Sequence, residues 1–529
     1  MSTNYLDQLS ARVRARIFAL GLEKELPKLH EALLAEDACL NLSEKKLRER
    51  QGVGFTQGSH LPSRTVTGLY GTYLERPFRI TADPYLIEPA QVELMKTVVA
   101  SLEAVFWALR EMYLQEPRTF IPYIGQSASL ENVDWRPPEN RCIFPWGKLD
   151  VYWIEQDGRL WPQILDISSQ CVSPFAFSAA DKIYRQMIGH PLRRSLEPEL
   201  PFDWAGYSLR NIEKLAENLL LEYHDWCRNM DRPEMNNPVI AQIVGEGNHG
   251  RAEHRILNRM LTRLHGGQTA TIIHYRDLEL DPQTGQLMVN VRGHSIKIDL
   301  AIRACVNRQA YHPDFPEKAA EAEAMALLTE AQLRGRTCVV PAIGNRLFDS
   351  KGWAYVLRAK RFQSKIEEAL GLNRVMLKIV QSAFPECARL SSNPLQLERE
   401  DGSILPVAQM AKVELRNWVN KANDTSGSRG VDIPSKGDSL GYRLRSLEEI
   451  ATSPSGAMSE RFVPPQTGTV ITYTADGIKE LPVRQKDCIY ISRGQLVGWC
   501  TLNEETLKTH YLHGGEASSI SLPAVCRNI

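Results

Sequence analysis

The sequence predicts a mixed α/β fold, in which helices and strands alternate over much of the chain. One observation is a strand, a glycine-rich turn, a helix and a second strand that follow one another from about residue 238. A second is a long amphipathic helical pattern that ends near residue 114, and a third is a run of strand patterns after about residue 410. With 529 residues, of which 43% are apolar, the chain can bury a large core in two or three lobes.

The first 60 residues are predicted to form an N-terminal helical segment. "NYLDQLSARVRARIFALGL" and "LPKLHEALLAE" both place apolar residues at helical spacing. After the prolines of "TADPYLIEP", the pattern of "AQVELMKTVVASLEAVFWALREMYL" continues as one long amphipathic helix.

Composition excludes several classes of protein. The formal net charge is zero, so neither nucleic acid nor an anionic membrane is an expected partner. The N-terminus lacks the apolar core of a signal peptide, and no apolar run approaches the roughly 20 residues of a membrane span. The ten cysteines show no zinc spacing, which favours reduced thiols in a cytoplasmic protein.

A β-hairpin is predicted between residues 148 and 168, where "KLDVYWI" and "RLWPQILDIS" flank "EQDG". Asp150 begins the first strand, Asp166 ends the second, and Ser168 follows on the same face. Antiparallel pairing brings the outer ends of a hairpin side by side. For one Asp at a strand end, a turn cap is the alternative interpretation. The paired arrangement instead favours a Mg²⁺ site on Asp150, Asp166 and Ser168, because Mg²⁺ prefers oxygen ligands.

A βαβ unit is predicted from residue 238, with "PVIAQIV", "GEGNHG", a helix and "TATIIHY" in order. Gly245–Gly250 fits the G-x-G-x-x-G pattern of dinucleotide sites, and the acidic Asp277 and Glu279 follow the second strand. NAD binding is therefore one hypothesis for this unit. The alternative is a Rossmann-like unit whose glycines only form a tight turn, and Glu246 would repel a phosphate there.

Two lysines stand where an ammonium group can reach a phosphate, although no Walker-type P-loop is present. Lys351 begins a predicted helix in "DSKGWAYVL", and Lys421 ends the predicted strand "VELRNWVNK". The small residues after Lys421 offer backbone N–H groups with little side-chain bulk, which suits a loop over phosphates. "SERFVPP" then forms an extended run that can present backbone groups to adenine. The predicted nucleotide-binding residues are Lys351, Lys421, Ser426, Gly427, Ser428, Gly430, Glu460, Phe462 and Val463.

In this order, the motifs resemble the circularly permuted ATP-grasp enzymes, the group that contains the synthetase part of glutathionylspermidine synthase. The hairpin of that family has the form Arg-x-Asp, an "EDG"-like turn and Glu-x-Asn. Lys148-Leu-Asp150, "EQDG" and Asp166-Ile-Ser168 stand in those places here. "DSKG", "NKANDTSGSRGV" and "SERFVPP" are similar to the two lysine motifs and the hinge of the family. Acids that precede the lysines match the permuted group, while the three substitutions in the hairpin imply a weaker metal site.

The resemblance implies an ATP-dependent carboxylate–amine ligase. ATP would phosphorylate a carboxylate, and an amine would attack the acyl phosphate, so that an amide, ADP and phosphate form. The implied cofactors are ATP and Mg²⁺, and the implied partners are a small-molecule carboxylic acid and an amine. Lys421 and Arg484 are the predicted catalytic residues, Arg484 to hold the acceptor carboxylate or the γ-phosphate. The loop 423–430 would close over the site.

The predicted fold is thus a circularly permuted ATP-grasp fold with a Rossmann-like lobe and an N-terminal helical segment. The expected segments are 1–60 (helical), 61–237 (with the metal hairpin), 238–345 (Rossmann-like) and 346–529 (nucleotide-binding, with the lysines and flap). Alternatives left open are a kinase of a hydroxyl or enol group, an NAD-dependent oxidoreductase that uses Gly245–Gly250, and a non-catalytic relative. The oligomeric state is also open, with a homodimer as one option.

Overall fold

A computed structural model describes most of the chain. The described residues are 3–33, 79–125, 142–169, 175–197, 202–203, 212–233, 238–244, 251–264, 271–291, 294–303, 319–410, 412–423, 431–434, 439–453, 455–474, 476–504 and 519–526. They form the mixed α/β fold that the sequence predicts, with helices and several sheets. None of the described helices combines the length and the apolar character that a membrane crossing requires.

The helices follow the amphipathic patterns of the sequence. The longest one starts with Pro89 at its first position, and a capping box closes this end, because the backbone N–H of Glu88 donates to Gln91 Oε1 at 2.9 Å. The α-helices are α1 Thr3–Leu20, α2 Pro89–Gln115, α3 Pro117–Ile124, α4 Phe175–Tyr184, α5 His190–Leu196, α6 Ile212–Asn229, α7 Arg251–Leu264, α8 Ala319–Leu333, α9 Gly352–Arg358, α10 Lys360–Leu370, α11 Arg374–Ser382, α12 Lys412–Leu415 and α13 Leu440–Ala451.

The strands are short in the first half of the chain and long near its end. In chain order they are β1 Arg79–Ile80, β2 Tyr85–Ile87, β3 Gly147–Gln156, β4 Arg159–Ser168, β5 Phe202–Asp203, β6 Ile240–Val244, β7 Thr271–His274, β8 Leu278–Leu280, β9 Leu287–Val291, β10 His294–Lys297, β11 Leu300–Arg303, β12 Cys338–Val340, β13 Cys387–Ser392, β14 Leu395–Arg399, β15 Ile404–Pro406, β16 Trp418–Ala422, β17 Val431–Asp432, β18 Ala457–Arg461, β19 Gln466–Thr474, β20 Gly477–Ser492, β21 Gln495–Glu504, β22 Ser519–Ser521 and β23 Pro523–Cys526.

One seven-stranded sheet joins remote parts of the chain. Its order is β1-β22-β21-β20-β3-β4, and β19 pairs with the first half of β20. The hairpin β3–β4 therefore lies beside strands that come more than 300 residues later, since β20 pairs with β3 over Asp487–Ile491. Apolar side chains cover both faces of the sheet: Leu149 and Ile489 belong to one buried cluster, whereas Tyr490 belongs to another.

Two further sheets carry the other elements that the sequence analysis singled out. The predicted βαβ unit is present, because β6 and β7 pair in parallel and α7 connects them. They belong to a parallel four-stranded sheet of order β12-β11-β6-β7. A six-stranded antiparallel sheet of order β15-β14-β13-β18-β16-β17 carries Lys421 on β16. Two three-stranded sheets, β10-β9-β8 and β2-β23-β5, complete the described strands.

The hairpin turn is the one that "EQDG" predicts. Asp157 and Gly158 form the two-residue connection between β3 and β4, with φ angles of 52° and 71°. Both values lie in the left-handed region that a type I′ turn requires, and Asp-Gly is a favoured pair for that turn. The turn matches the right-handed twist of the strands and so fixes the register of the hairpin.

Three sequence predictions need correction. "VELRNWVNK" is not one strand, because Lys412–Leu415 is a short helix and the strand begins at Trp418. The pattern of "SIKIDLAI" predicts a single strand, but these residues are divided between β10 and β11, which lie in two different sheets. The pattern from about residue 352 to 390 predicts helix throughout, but the last helix of this region ends at Ser382 and a strand begins at Cys387. In each case, the apolar pattern over a few residues is compatible with both the predicted and the observed structure. The pairing of strands in the folded sheets decides between the two.

Candidate active site

The end of the hairpin places polar side chains on one face of the sheet. Asp150 lies directly opposite Asp166, and Lys148 lies directly opposite Ser168. Residues directly opposite one another in an antiparallel pair point to the same face, so these four side chains share a face, as the sequence predicts. The ladder shifts register next to Asp150, and Leu165 is left without a cross-strand partner. Such a bulge turns the strand and frees a backbone carbonyl for another donor.

The side chain of Lys421 binds the backbone carbonyl that the bulge frees. Its ammonium group donates to the carbonyl oxygen of Leu165 at 2.7 Å and forms an ion pair with Glu460. Lys421 and Glu460 lie on neighbouring strands β16 and β18 and on the same sheet face, because Val419, two residues before Lys421, is directly opposite Glu460. The six-stranded sheet is thereby attached to the hairpin through a lysine ammonium.

Lys351 approaches the same point from a helix start, as the sequence predicts. It precedes α9, and its backbone N–H donates to the carbonyl oxygen of Asn423 at 3.1 Å. Its ammonium nitrogen lies 3.4 Å from Asp166 Oδ1. The Lys351 side chain is buried, whereas 34% of the Asp166 side chain remains exposed. Lysines from a helix start and from a strand therefore converge on the open end of the hairpin, near Leu165 and Asp166.

A cleft lies between these elements. The side chains that give it charge are Lys351, Asp166, Asp349 and Glu460, and apolar residues such as Met458 line the rest. Burial raises the pKa of Glu460, and the Asp166 carboxylate adds to this effect, while Lys421 opposes it. The cleft thus holds acidic and basic groups in a partly water-excluded space, where electrostatic interactions are stronger than in water.

Sequence reasoning missed two residues that build this cleft. Asp349 accepts a hydrogen bond from the backbone N–H of Ser169, which attaches the end of the hairpin to the 3₁₀-helix Ile343–Asp349. Asn423 donates through its side chain to the carbonyl oxygens of Tyr123 at 2.7 Å and Ser455 at 3.0 Å. Asp349 stands two residues before a predicted lysine in "FDSK", which was the available signal. Nothing near Asn423 in the sequence indicates its two remote partners.

Asp150 has other partners than a metal ion. Its Oδ1 lies 2.8 Å from Lys148 Nζ, and its Oδ2 lies 2.8 Å from Lys486 Nζ. Burial alone would raise the pKa of Asp150, but the two ammonium groups outweigh it and lower that pKa. Burial alone would likewise lower the pKa values of Lys148 and Lys486, but Asp150 raises both. The arrangement therefore does not fit a metal ion bound to Asp150.

Among the residues that the structure describes, no three acidic, histidine or cysteine side chains are placed to hold a metal ion together. Asp166 is the more exposed hairpin carboxylate, and Ser168 is half-buried at the same end. Asp166 lines the cleft and fits a role as an oxygen ligand, and Ser168 is two residues further along on the same face of the strand.

The extended run "SERFVPP" connects two sheets. Glu460 is near the end of β18 in the six-stranded sheet, and residues 462–465 lead directly to β19 of the seven-stranded sheet. The backbone N–H of Phe462 donates to the carbonyl oxygen of Asn417 at 2.7 Å, and Val463 is buried. This N–H is therefore already used within the protein.

The remaining predicted residues lie elsewhere. Arg484 is on β20, directly opposite Thr467 on one side and Glu504 on the other. It is not among the residues that line the cleft. The flap residues Ser426, Gly427, Ser428 and Gly430 lie outside the described residues, and so does the turn Gly245–Gly250.

Comparison with known proteins identifies the fold. No family model and no curated protein matches the chain. A solved structure of a glutathione synthetase-like effector from Globodera pallida is similar over 85% of this chain and 90% of that chain, with 10% identity and a TM-score of 0.52. At that identity the likeness shows a shared fold. The chain therefore adopts the architecture of a glutathione synthetase-like protein.

Two more distant structures are also similar. A putative gamma-glutamylcysteine synthetase from Methylobacillus flagellatus has 9% identity and a TM-score of 0.34, with 80% of this chain and 85% of that chain covered. D-alanyl-alanine synthetase A from Vibrio cholerae has 13% identity and a TM-score of 0.27, with 54% of this chain and 74% of that chain covered.

Proposed function

We propose that the protein is an ATP-dependent ligase that joins a small carboxylic acid to an amine, with ADP and phosphate as the other products. The observation that carries the proposal is the convergence of Lys351 and Lys421, from a helix start and a strand, on the bulged end of the hairpin. The shared fold with a glutathione synthetase-like protein supports the same class of reaction. We also propose that the fold is circularly permuted, since the hairpin precedes both lysines in the chain.

The proposed roles follow from charge. Transfer of a phosphoryl group is catalysed mainly by positioning and by positive charge near the phosphate oxygens. Lys351 and Lys421 would supply that charge, with Lys421 held in place by Glu460 and by the Leu165 carbonyl. Residues 423–430 would cover the phosphates, and Phe462 and Val463 would lie near the base. Arg484 would hold the acceptor carboxylate or the γ-phosphate after a movement toward the cleft.

Mg²⁺ would accompany the nucleotide and neutralise its phosphate oxygens. Asp166 is the hairpin side chain that best fits an interaction with it, because it lines the cleft and is partly exposed. Ser168, half-buried two residues later on the same face, would add a hydroxyl oxygen. The protein itself would align the substrate carboxylate with the γ-phosphate. It would also exclude water, because an acyl phosphate exposed to water hydrolyses. The expected substrates are amino acid-like or peptide-like acids and amines.

The test uses Lys351→Ala and a matched control. Lys351 is the cleaner of the two lysines to remove, because its partner Asp166 is partly exposed and can be solvated. We expect at least a hundredfold loss of ADP formation, since one fixed positive charge at a transferring phosphoryl group contributes roughly 10²–10³ in rate. Lys365→Ala, which removes an exposed lysine on α10, should keep the wild-type rate. Circular dichroism checks that both variants are folded.

The products distinguish the reaction classes. An acyl phosphate is intercepted by hydroxylamine as a hydroxamate, so a hydroxamate and ADP are expected from a panel of amino acids and short peptides. A stable phosphorylated product that hydroxylamine leaves unchanged would indicate the kinase of a hydroxyl or enol group instead. AMP formation, or wild-type ADP release by Lys351→Ala, would contradict the proposal.

A further inference from the structure

The ion pairs of Asp150 give the hairpin a second chemical feature. Asp150 and Lys148 lie two residues apart on β3, and Lys486 reaches them from β20. We propose that Lys486 is a built-in cation of this site: its ammonium group occupies the position beside Asp150 at which the hairpin would otherwise bind a divalent metal ion. Asp150 is then a positioning residue for two lysines, and not a metal ligand.

The contacts of the carboxylate support this assignment. Each oxygen of Asp150 lies 2.8 Å from a different ammonium nitrogen, Oδ1 from Lys148 and Oδ2 from Lys486. The thiol of Cys488 also donates to Oδ1, at 3.6 Å. A divalent magnesium ion would need an oxygen lone pair at about 2.0–2.1 Å and near-octahedral surroundings. Because each oxygen is already paired with an ammonium group, such an ion would have to bind directly beside a lysine or displace it.

The strand register holds Lys486 in this place. Cys488 lies directly opposite Asp150 in the β20–β3 pair, and Lys486 is two residues earlier on the same face of β20. The side chains of Lys486 and Asp150 are 8% and 12% exposed, so water does not replace either partner. Backbone pairing over Asp487–Ile491 therefore holds the strand that brings the Lys486 ammonium group to Asp150.

Charge balance argues in the same direction. Two ammonium groups and one carboxylate leave this cluster with a formal charge of plus one. A doubly charged ion placed at Asp150 would lie beside two like-charged groups in a buried setting, where repulsion is weakly screened. The positive charge that a metal ion would contribute is thus already present on side chains, and Lys148, with 23% of its side chain exposed, lies directly opposite Ser168.

Metal binding without nucleotide tests the inference, and it does not depend on the proposed ligase reaction. Free Mn²⁺ is measured by electron paramagnetic resonance during titration of the wild-type protein, Asp150→Asn and Lys486→Met. The Mn²⁺ affinity of Asp150→Asn should equal that of the wild type within twofold. Lys486→Met should bind Mn²⁺ at least tenfold more tightly than the wild type, and the added Asp150→Asn substitution should abolish this gain.

The control removes another lysine from the same strand. Lys479 lies on β20 but is paired with the exposed Asp476, so Lys479→Met removes one positive charge away from Asp150 and should leave Mn²⁺ binding unchanged. A tenfold loss of Mn²⁺ affinity in Asp150→Asn, or no gain in Lys486→Met, would overturn the proposal. If a variant does not fold, anomalous diffraction from wild-type crystals soaked in Mn²⁺ decides. A peak at the Asp150 carboxylate overturns the assignment, and no peak there supports it.

Discussion

At the scale of single residues, Lys421 connects the six-stranded sheet to the hairpin. It contacts Glu460 on the neighbouring strand and the Leu165 carbonyl on the hairpin, and its side chain is 7% exposed. A buried ion pair adds little stability compared with an apolar pair, but the removal of one partner leaves the other charge uncompensated. Lys421 therefore has a structural role besides its proposed catalytic one.

A double-mutant experiment separates these two roles. Lys421→Met should lower the free energy of unfolding by about 3–5 kcal/mol, because Glu460 is left buried without its ammonium partner. In Lys421→Met/Glu460→Gln, the buried charge is also removed, and at least half of the loss should be recovered. Thermal unfolding of the wild type, both single variants and the double variant measures this. ADP formation should stay low in both variants that lack Lys421. Equal stability of the single and double variants would contradict the pairing.

At the scale of elements, the start of α9 is set by a close approach of two backbones. An added Cβ at Gly352 would lie 2.0 Å from the carbonyl oxygen of Tyr123. No side chain can shift to relieve that contact, because the obstructing atom belongs to the main chain. The glycine after Lys351 thus allows α9 to begin against the end of α3, and this position directs Lys351 toward Asp166.

Gly352→Ala tests this packing, with Gly441→Ala as its matched control. The alanine at 352 must move the helix start, and we expect a loss of about 1–3 kcal/mol in the free energy of unfolding together with lower ADP formation. Gly441 lies near the start of α13, and an added Cβ there meets no atom within 4 Å. Alanine at 441 should be neutral or stabilising by about 0.5–1 kcal/mol. Similar melting temperatures for the two variants would be inconsistent with the backbone contact.

At the scale of the whole molecule, buried carboxylates make stability depend on pH. Burial raises the pKa of Asp83 to about 7, that of Glu103 to about 7 and that of Asp487 to about 6. A carboxyl group whose pKa is higher in the folded protein contributes stability below its ordinary pKa near 4, and this contribution is lost as the pH rises through the folded value. These three groups therefore destabilise the protein progressively between about pH 4 and pH 7.

Asp83→Asn isolates one of these groups. Oδ1 of Asp83 accepts a hydrogen bond from the backbone N–H of Ile471 at 2.7 Å, and an asparagine oxygen can accept the same bond. Near pH 4, the free energy of unfolding of the variant should equal that of the wild type. At pH 8 it should be larger by about 1–3 kcal/mol, and the melting temperature of the variant should be higher accordingly. Asp476→Asn changes an exposed carboxylate and should show no such rise. A difference that does not grow with pH would mean that folding does not raise the pKa of Asp83.

Much of the local structure was predictable from the sequence, because neighbouring residues decide it. Asp157-Gly158 supplies the positive φ angles of the hairpin turn, and alternation on both sides sets the faces of Asp150 and Asp166. The helix start after Lys351 was predictable for the same reason. "VELRNWV" was not, because its apolar spacing suits a strand, while its first three residues belong to the short helix Lys412–Leu415 in the folded protein.

The sequence by itself thus determined the class of fold, the hairpin with its acidic ends and the two lysines at the ends of their elements. Only the tertiary structure decided which charges meet. Lys486 and Asp150 are 336 residues apart in the chain, and Lys421 and Leu165 are 256 apart. Such partners are chosen by sheet pairing between remote segments, here β20 with β3, and by a bulge that frees one carbonyl. No short pattern contains that information, because the energy of each pair exists only after both segments have packed.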